Sequence, residues 1–428
     1  MGRARNIIVA AGAAAVAGGA TAQPKQTVTG PVAVYWVSAE TMSGMAGMMG
    51  GMGPGGGPGG RGQRPSMGSM MGMFMGGQGP GGGQAQHKLT LQLGSQRAPS
   101  GPPSGEHRPP PDLGAGQALP LVSPRTVQPE PEEPGVPPDF QQPRGRMLIF
   151  WGCGERAGPG QPVVIDFSKL TPDAARSGKI PPEFAALSRG MAITQMRPPS
   201  PARSKTYGEW PNERTRNTVP PDSSLVGDHD VTSTYAPQIH FNLGPNQDFL
   251  APLTITANRE SPGGGTQIWW RSVPGAQSYL ATAIGGGGGG GRGGRGDDTT
   301  VVMWTSSQTQ AATFAPPDYI SPAESARLVG QKVLMAPSTT SCVIPREVVQ
   351  AAPQAMLQLV AYGGEANFVN PPRPSDPRAP WNQQWQVKVR YRSATSAILG
   401  MDMGDMSGDE DRAPPPRRRG MPFGMPGM

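Results

Sequence analysis

Residues 88–93 read Lys-Leu-Thr-Leu-Gln-Leu, so strict alternation puts Leu89, Leu91 and Leu93 on one face of an extended strand. Residues 32–37 are almost wholly apolar, and residues 147–151 and 163–167 are apolar enough for central strands. Further strand candidates are 191–196, 231–235 and 238–243. Helical spacing is scarce. Only 171–177, 321–329 and 345–351 offer a cap or an N1 proline ahead of good helix formers, and each is short. Short strands separated by turn residues predict a mainly β protein built as two β-sandwich-like domains.

Between these signals lie four stretches of another kind. Residues 42–83 hold 19 Gly and 10 Met, and residues 97–143 hold 14 Pro. Residues 285–298 are a glycine run, and 400–428 form a tail. The tail carries Asp402, Asp405, Asp409, Glu410 and Asp411, then Arg417, Arg418 and Arg419. Such compositions bury too little apolar surface to offset their ordering entropy. The expectation is therefore disordered insertions at 42–83 and 97–143, a Gly-rich loop at 285–298 and a disordered tail at 400–428. In the first three cases a strong strand signal stops before the stretch and resumes after it. That is the pattern of loops enlarged on a sheet scaffold, where closure cost grows only logarithmically with length. These stretches concentrate much of the chain's 63 Gly and 52 Pro, a composition that argues against one compact 428-residue enzyme. The two domains are expected at 28–248 and 249–397.

In the second of these, residues 268–279 read Ile-Trp-Trp-Arg-Ser-Val-Pro-Gly-Ala-Gln-Ser-Tyr. This resembles the B–C corner of fibronectin type III-like, immunoglobulin-like modules, in which a core tryptophan and a tyrosine bracket a tight turn. The resemblance spans about 249–397. It implies strand A at 253–257, C′ at 299–305, F at 356–362 and G at 384–392. The chain departs from that pattern in its long 305–356 segment with two short helices and in the Pro-rich insertion 368–380. Modules of this kind are chiefly spacers and binding scaffolds, so the resemblance implies interaction rather than chemistry. The N-terminal half carries no comparable signature.

The first residues form a three-part export signal. Arg3 and Arg5 precede an apolar run from residue 7 to 20, and Ala20-Thr21-Ala22 supplies a small-x-small site with cleavage expected after Ala22. Fourteen apolar residues ending in Gly18-Gly19 are too few for a membrane anchor, and no later segment is apolar enough to span a membrane. A periplasmic or secreted protein follows, and the Ala-rich signal with its Gly/Met-rich body suggests a bacterial envelope. Removing Arg3 and Arg5 lowers the formal charge from +7 to +5, which permits weak attraction to anionic lipid headgroups or polysaccharide but is no nucleic-acid footprint. Export places Cys153 and Cys342, the two cysteines of the chain, where a disulfide between them is permitted; two separate buried thiols are the alternative.

Catalytic chemistry is thinly represented. The four histidines are His87 at the start of a strand, His107 in the Pro-rich block, His229 in an Asp228-His229-Asp230 turn and His240 in a strand. His229 reads as a solvated turn residue. Glu155, beside Cys153, reads as a strand-end turn residue. GxSxG, HExxH and P-loop patterns are absent, and no catalytic, cofactor-binding or metal site is assigned. One soft-ligand constellation stands out: Met42, Met45, Met48, Met49 and Met52, then Met67, Met70, Met71, Met73 and Met75. In the tail, Met401, Met403 and Met406 stand beside Asp402 and Asp405. Thioethers favour Cu(I), although copper loops usually add histidine and these have none. The expected function is a non-catalytic binding or structural role in the bacterial envelope, with an envelope protein or polysaccharide as partner. A periplasmic copper(I)-binding protein using Met-rich loops is the alternative.

Overall fold

A computed structural model describes residues 26–45, 85–124, 145–167, 197–215, 219–287, 300–310 and 317–401. The export signal, the helix at 171–177, the strand at 191–196, nearly all of the Met-rich segment and the tail beyond Met401 lie outside these residues. The first half of the chain carries β1 (Val28–Thr29), β2 (Ala33–Ser43), β3 (Gln86–Ser95), β4 (Gly105–Arg108) and β5 (Leu119–Leu121). Next come β6 (Arg146–Trp151), β7 (Val163–Asp166), β8 (Thr206–Trp210), β9 (Gly227–Ser233) and β10 (Ile239–Leu243). The second half carries β11 (Ile255–Glu260), β12 (Thr266–Trp270), β13 (Ala276–Gly287), β14 (Thr300–Thr305) and helix α1 (Pro322–Gly330). It ends with β15 (Ser341–Ile344), helix α2 (Arg346–Ala351), β16 (Met356–Asn370), β17 (Trp381–Asn382) and β18 (Trp385–Ile398). The described fold is mainly β. No described helix is long and apolar enough to cross a membrane.

One nine-stranded sheet, in the order β7-β6-β14-β13-β16-β18-β2-β3-β8, dominates the structure. The alternation read from the sequence sets its inner face. Tyr35, Val37 and Ala39 of β2 lie level with Leu93, Leu91 and Leu89 of β3 and with Val387, Val389 and Tyr391 of β18. All nine are buried in a single apolar core. Two smaller sheets contribute to that core: β10-β9-β4-β5 through Val231, Ile239, Phe241 and Leu121, and β11-β12-β15 through Ile268, Trp270 and Ile344.

Strands from both sides of residue 248 share the large sheet. β18 pairs with β2 in parallel from Trp385↔Ala33 to Thr395↔Ser43, and β14 pairs with β6 in parallel from Thr300↔Arg146 to Thr305↔Trp151. The sheet thus runs through the expected 248/249 division without a break, and the β6–β7 hairpin at its far edge belongs to the earlier half of the sequence.

The expected corner at 268–279 forms a tight turn. Gly275 has φ of +81°, a left-handed value that a side chain would strain. Trp270 and Tyr279 meet across it with ring centroids 5.7 Å apart, and the Val273 amide donates to the Tyr279 hydroxyl at 2.8 Å. The chain passes here from β12 in the three-stranded sheet to β13 in the large one. Cys153, just after β6, is disulfide-bonded to Cys342 in β15, so a bridge of sequence separation 189 ties the two sheets.

One expectation needs correction. Residues 97–124 are not an extended loop: they hold β4, a short helical turn at Pro111–Leu113 and β5. The prolines sit where a missing N–H is harmless, as with Pro120 in β5, the edge strand of its sheet. Leu113, Leu119 and Leu121 are buried, which supplies the apolar surface that composition alone did not suggest. At smaller scale, Met42 and Ser43 complete β2, and Gly285–Gly287 extend β13.

Candidate functional site

The outer face of the nine-stranded sheet changes character from one end to the other. Over β13, β16 and the C-terminal part of β18 it is apolar: Leu280, Val360, Tyr362 and Ala394 are covered by Ile320, Leu328, Val333 and Leu334 from α1 and its flanks. The helix is fixed by Ser321, whose hydroxyl caps the Glu324 amide at 3.2 Å, and by a 2.7 Å bond from the Ser325 hydroxyl to Ser278. Over β18, β2 and β3 the same face becomes polar and opens into a cavity of about 560 Å³. Even-numbered positions line it: Ser38 and Glu40 of β2, Lys88, Thr90 and Gln92 of β3, Arg390 and Arg392 of β18. Residues 197–200, Arg203, Asp318 and Tyr319 form the rest of the wall.

Segment 317–320 is held in place from both sides. Ile320 is buried in the apolar cluster, and the Tyr362 hydroxyl donates to the Pro317 carbonyl at 3.0 Å. This positions Asp318 and Tyr319 over two arginines that alternate along β18. Arg392 is well paired: its guanidinium lies 2.8 Å from Glu40 Oε1 and 3.1 Å from Asp318 Oδ1. Burial lowers its pKa, but the surrounding Tyr319, Glu40 and Asp318 outweigh this and hold it above the ordinary arginine value.

Arg390 is different. Its side chain is sandwiched, with Cζ 4.0 Å from the Trp36 ring centroid and 4.2 Å from that of Tyr319. It is 5% exposed. Nη2 donates to Ser38 Oγ at 2.7 Å, while Nε is buried without a partner. Among the described residues it makes no ion pair. Glu365, directly opposite on β16, is engaged instead by Lys388 Nζ at 2.9 Å. Burial pushes the Arg390 pKa down to about 10, with Tyr319, Asp318 and Glu365 offsetting part of the effect. The group remains a cation at neutral pH. A buried donor left unpaired costs about 1–3 kcal/mol, and more when charged. Cation–π contact with the two rings offsets some of this, leaving the N–H donors as its remaining polar capacity. The cavity wall carries five cations (Lys88, Arg197, Arg203, Arg390, Arg392) against two carboxylates (Glu40, Asp318), so its field favours an anion.

On the inner face, β2 takes part in a second buried polar group. Tyr35 Oη lies 2.6 Å from His107 Nδ1, His107 Nε2 lies 3.1 Å from His229 Nδ1, and His229 Nε2 lies 2.7 Å from the Leu225 carbonyl. The carbonyl can only accept, so the His229 proton is on Nε2 and its Nδ1 accepts from His107 Nε2–H. His107 Nδ1 then accepts from the tyrosine hydroxyl. One proton arrangement satisfies every member with both imidazoles neutral. Burial pushes the pKa of both histidines down, reinforced at His107 by His229 and partly opposed at His229 by the Leu225 carbonyl and by Asp228 and Asp230. Phe241 stacks on His229 at 4.7 Å, and none of the three polar side chains lines the large cavity. The chain braces β2, β4 and β9 together.

His229 is therefore not a solvated turn residue. It is fully buried in β9, and the period-2 alternation that exposes Asp228 and Asp230 turns the imidazole inward. His87 stacks on Phe249 at 4.0 Å and bonds Ser223 at 2.8 Å. His240 stays at the surface, 3.0 Å from Asp230. Glu155 accepts from the Ser261 hydroxyl at 2.6 Å, a structural contact next to the disulfide. Of the Met-rich residues, Met42, Met45 and Met401 are described; Met45 is buried, and Met401 lies in the wall of a second cavity of about 320 Å³ with Gly44, Ala85 and Asn258. The other methionines named above lie outside the described residues. The sequence reading missed Arg390, although Lys-Val-Arg-Tyr-Arg at 388–392 does show three cations on one face of a strand. No known family matches the chain, and neither a curated protein nor a solved structure is detectably similar to it.

Proposed function

We propose that this chain is an exported, non-catalytic binding module of the bacterial envelope, engaging its partner at the cavity over β18, β2 and β3. The observation that carries this reading is Arg390: a buried cation against two rings, with no carboxylate partner among the described residues, in the wall of a cavity where cations outnumber carboxylates. Arg392, two residues on, shares the buried unpartnered Nε but is held by the Glu40 and Asp318 carboxylates, which Arg390 is not. The strand arrangement supports a scaffold role. In the second half, β11-β12-β15 contributes to one core with β14-β13-β16-β18, and the 268–279 corner passes between the sheets, which fits a fibronectin type III-like arrangement of A, B and E strands against C′, C, F and G. The three-part pattern at residues 3–22 supports an exported compartment. The test is surface capture of envelope protein and envelope polysaccharide fractions on the immobilised full chain and on Arg390→Gln. Capture that falls at least about tenfold in the variant supports the reading; equal capture by both would sink it.

Copper(I) handling is the second reading, favoured by where the Met-rich segments begin. The described chain stops at Met45, resumes at Ala85 and stops again at Met401, and Gly44, Ala85 and Met401 all line the smaller cavity. Segments 46–84 and 402–428 therefore depart from the same part of the fold. Titrating Cu(I) into the full chain and into a variant lacking 46–83 separates the cases: equal affinity in both removes this reading.

A further inference from the structure

We infer that the cavity over β18 takes an acidic saccharide, with Arg390 and Ser38 holding a sugar carboxylate and the remaining wall holding hydroxyls. This rests on the reading of the chain as a binding module and specifies its ligand class. The argument begins with shape. The Trp36 and Tyr319 ring centroids stand 4.0 Å and 4.2 Å from the Arg390 Cζ, so what is left to an incoming group is the N–H edge of a planar fork. A planar carboxylate matches that edge with two parallel hydrogen bonds. Ser38 Oγ, which accepts from Arg390 Nη2, retains its own O–H to donate to the same anion.

The rest of the wall decides what carries the carboxylate. Thr90 and Gln92 bring a hydroxyl and an amide suited to a polyhydroxylated ring, while Glu40 is held by Arg392 and the aromatic surfaces are already occupied by Arg390. An apolar acid would make no use of this polar wall, and a nucleobase would find no free ring to stack on among its described residues. A volume of about 560 Å³ is in the range of small-ligand sites and accommodates one or two sugar units. Lys88, an exposed cation two strands away on β3, lies where the charge of a second acidic unit would be drawn.

Isothermal titration calorimetry of the full chain at low salt provides the test, using trigalacturonate, neutral galactotriose, galacturonate monomer, inorganic phosphate and sulfate. Trigalacturonate should bind at least about tenfold tighter than galactotriose and than either inorganic anion. Arg390→Gln should weaken it at least about tenfold, and Arg390→Lys should fail to restore it because the charge returns without the fork. Lys88→Gln, at an exposed position that folding does not depend on, should weaken it about two- to fivefold and keeps the test open should Arg390→Gln unfold. Monomer binding at comparable affinity points to a free sugar acid, and binding that strengthens with chain length points to a polysaccharide; both support the inference. Phosphate or sulfate binding equal to the uronate, absence of uronate binding, or affinity unchanged in Arg390→Gln and Lys88→Gln would each overturn it. If uronate fails while Arg390-dependent capture from envelope fractions persists, the ligand class falls and the binding-module reading stands.

Discussion

Tyr35 and Ser38 lie three residues apart on β2, yet they face opposite sides of the sheet and serve buried polar groups of opposite kinds. On the inner face, Tyr35, His107 and His229 form a chain in which every donor has an acceptor and no charge is carried. On the outer face, Ser38 meets Arg390, a cation with a buried Nε–H and no carboxylate. Buried polar networks rigidify a fold when fully satisfied and destabilise it when partly satisfied. The inner network therefore reads as architecture, and the outer one as a place kept incomplete in the free protein. Burial alone does not separate the two; the balance of donors and acceptors does.

Three measurements test that contrast, the largest effect first. His107→Ala should destabilise by about 3 kcal/mol, because it leaves the Tyr35 hydroxyl and His229 Nδ1 buried without partners and opens a cavity beside them. Chemical denaturation should show a lower midpoint at unchanged slope; a change under about 1 kcal/mol would mean the chain is not structural. Lowering the pH should come next. Both histidines have depressed pKa values in the folded protein, so their contribution is present above the unfolded value near 6.5 and is lost as pH falls below it. Stability should decline between pH 7.5 and 5.5 by at most about 1.4 kcal/mol per pH unit for each histidine, and a melting temperature flat across that range would contradict the neutral assignment. The smallest effect separates the two arginines. Glu40→Gln, which uncouples half of the Arg392 pairing, should cost about 1–2 kcal/mol. Arg390→Met should be within about 0.5 kcal/mol of neutral or stabilising, since it removes an unpaired buried charge. A loss above about 2 kcal/mol at Arg390 would make that residue a structural brace.

Much of the strand content was legible because it follows period-2 alternation. Leu89, Leu91 and Leu93 declare a face, and residues 268–279 declare a corner, from local order alone. The pairing of β18 with β2 and of β14 with β6 was not legible, because parallel partners about 350 and 150 residues apart leave no local mark. Residues 105–121 were hidden by their prolines, whose edge and turn positions become evident only once β4 has found β9. His229 was hidden by its neighbours: two flanking aspartates suggest a wet turn, whereas in a strand they only define which side is wet. Arg390 shows the limit from the other direction. Two cations at 390 and 392 look alike in sequence, and the difference between them is made by Glu40 and Asp318, which reach one and not the other.

The parallel ladder between β2 and β18 bears on mechanics. Its register runs from Trp385↔Ala33 to Thr395↔Ser43, so the chain enters β2 at one end of the ladder and leaves β18 at the other. Tension applied through residues before Ala33 and after Ile398 would load this seam in shear, with its hydrogen bonds resisting together instead of opening one after another. Forced unfolding follows the unfolding rate and not the equilibrium stability. A protein anchored at one end and pulled at the other would thus find its strongest resistance along the line where the two halves of its sequence meet.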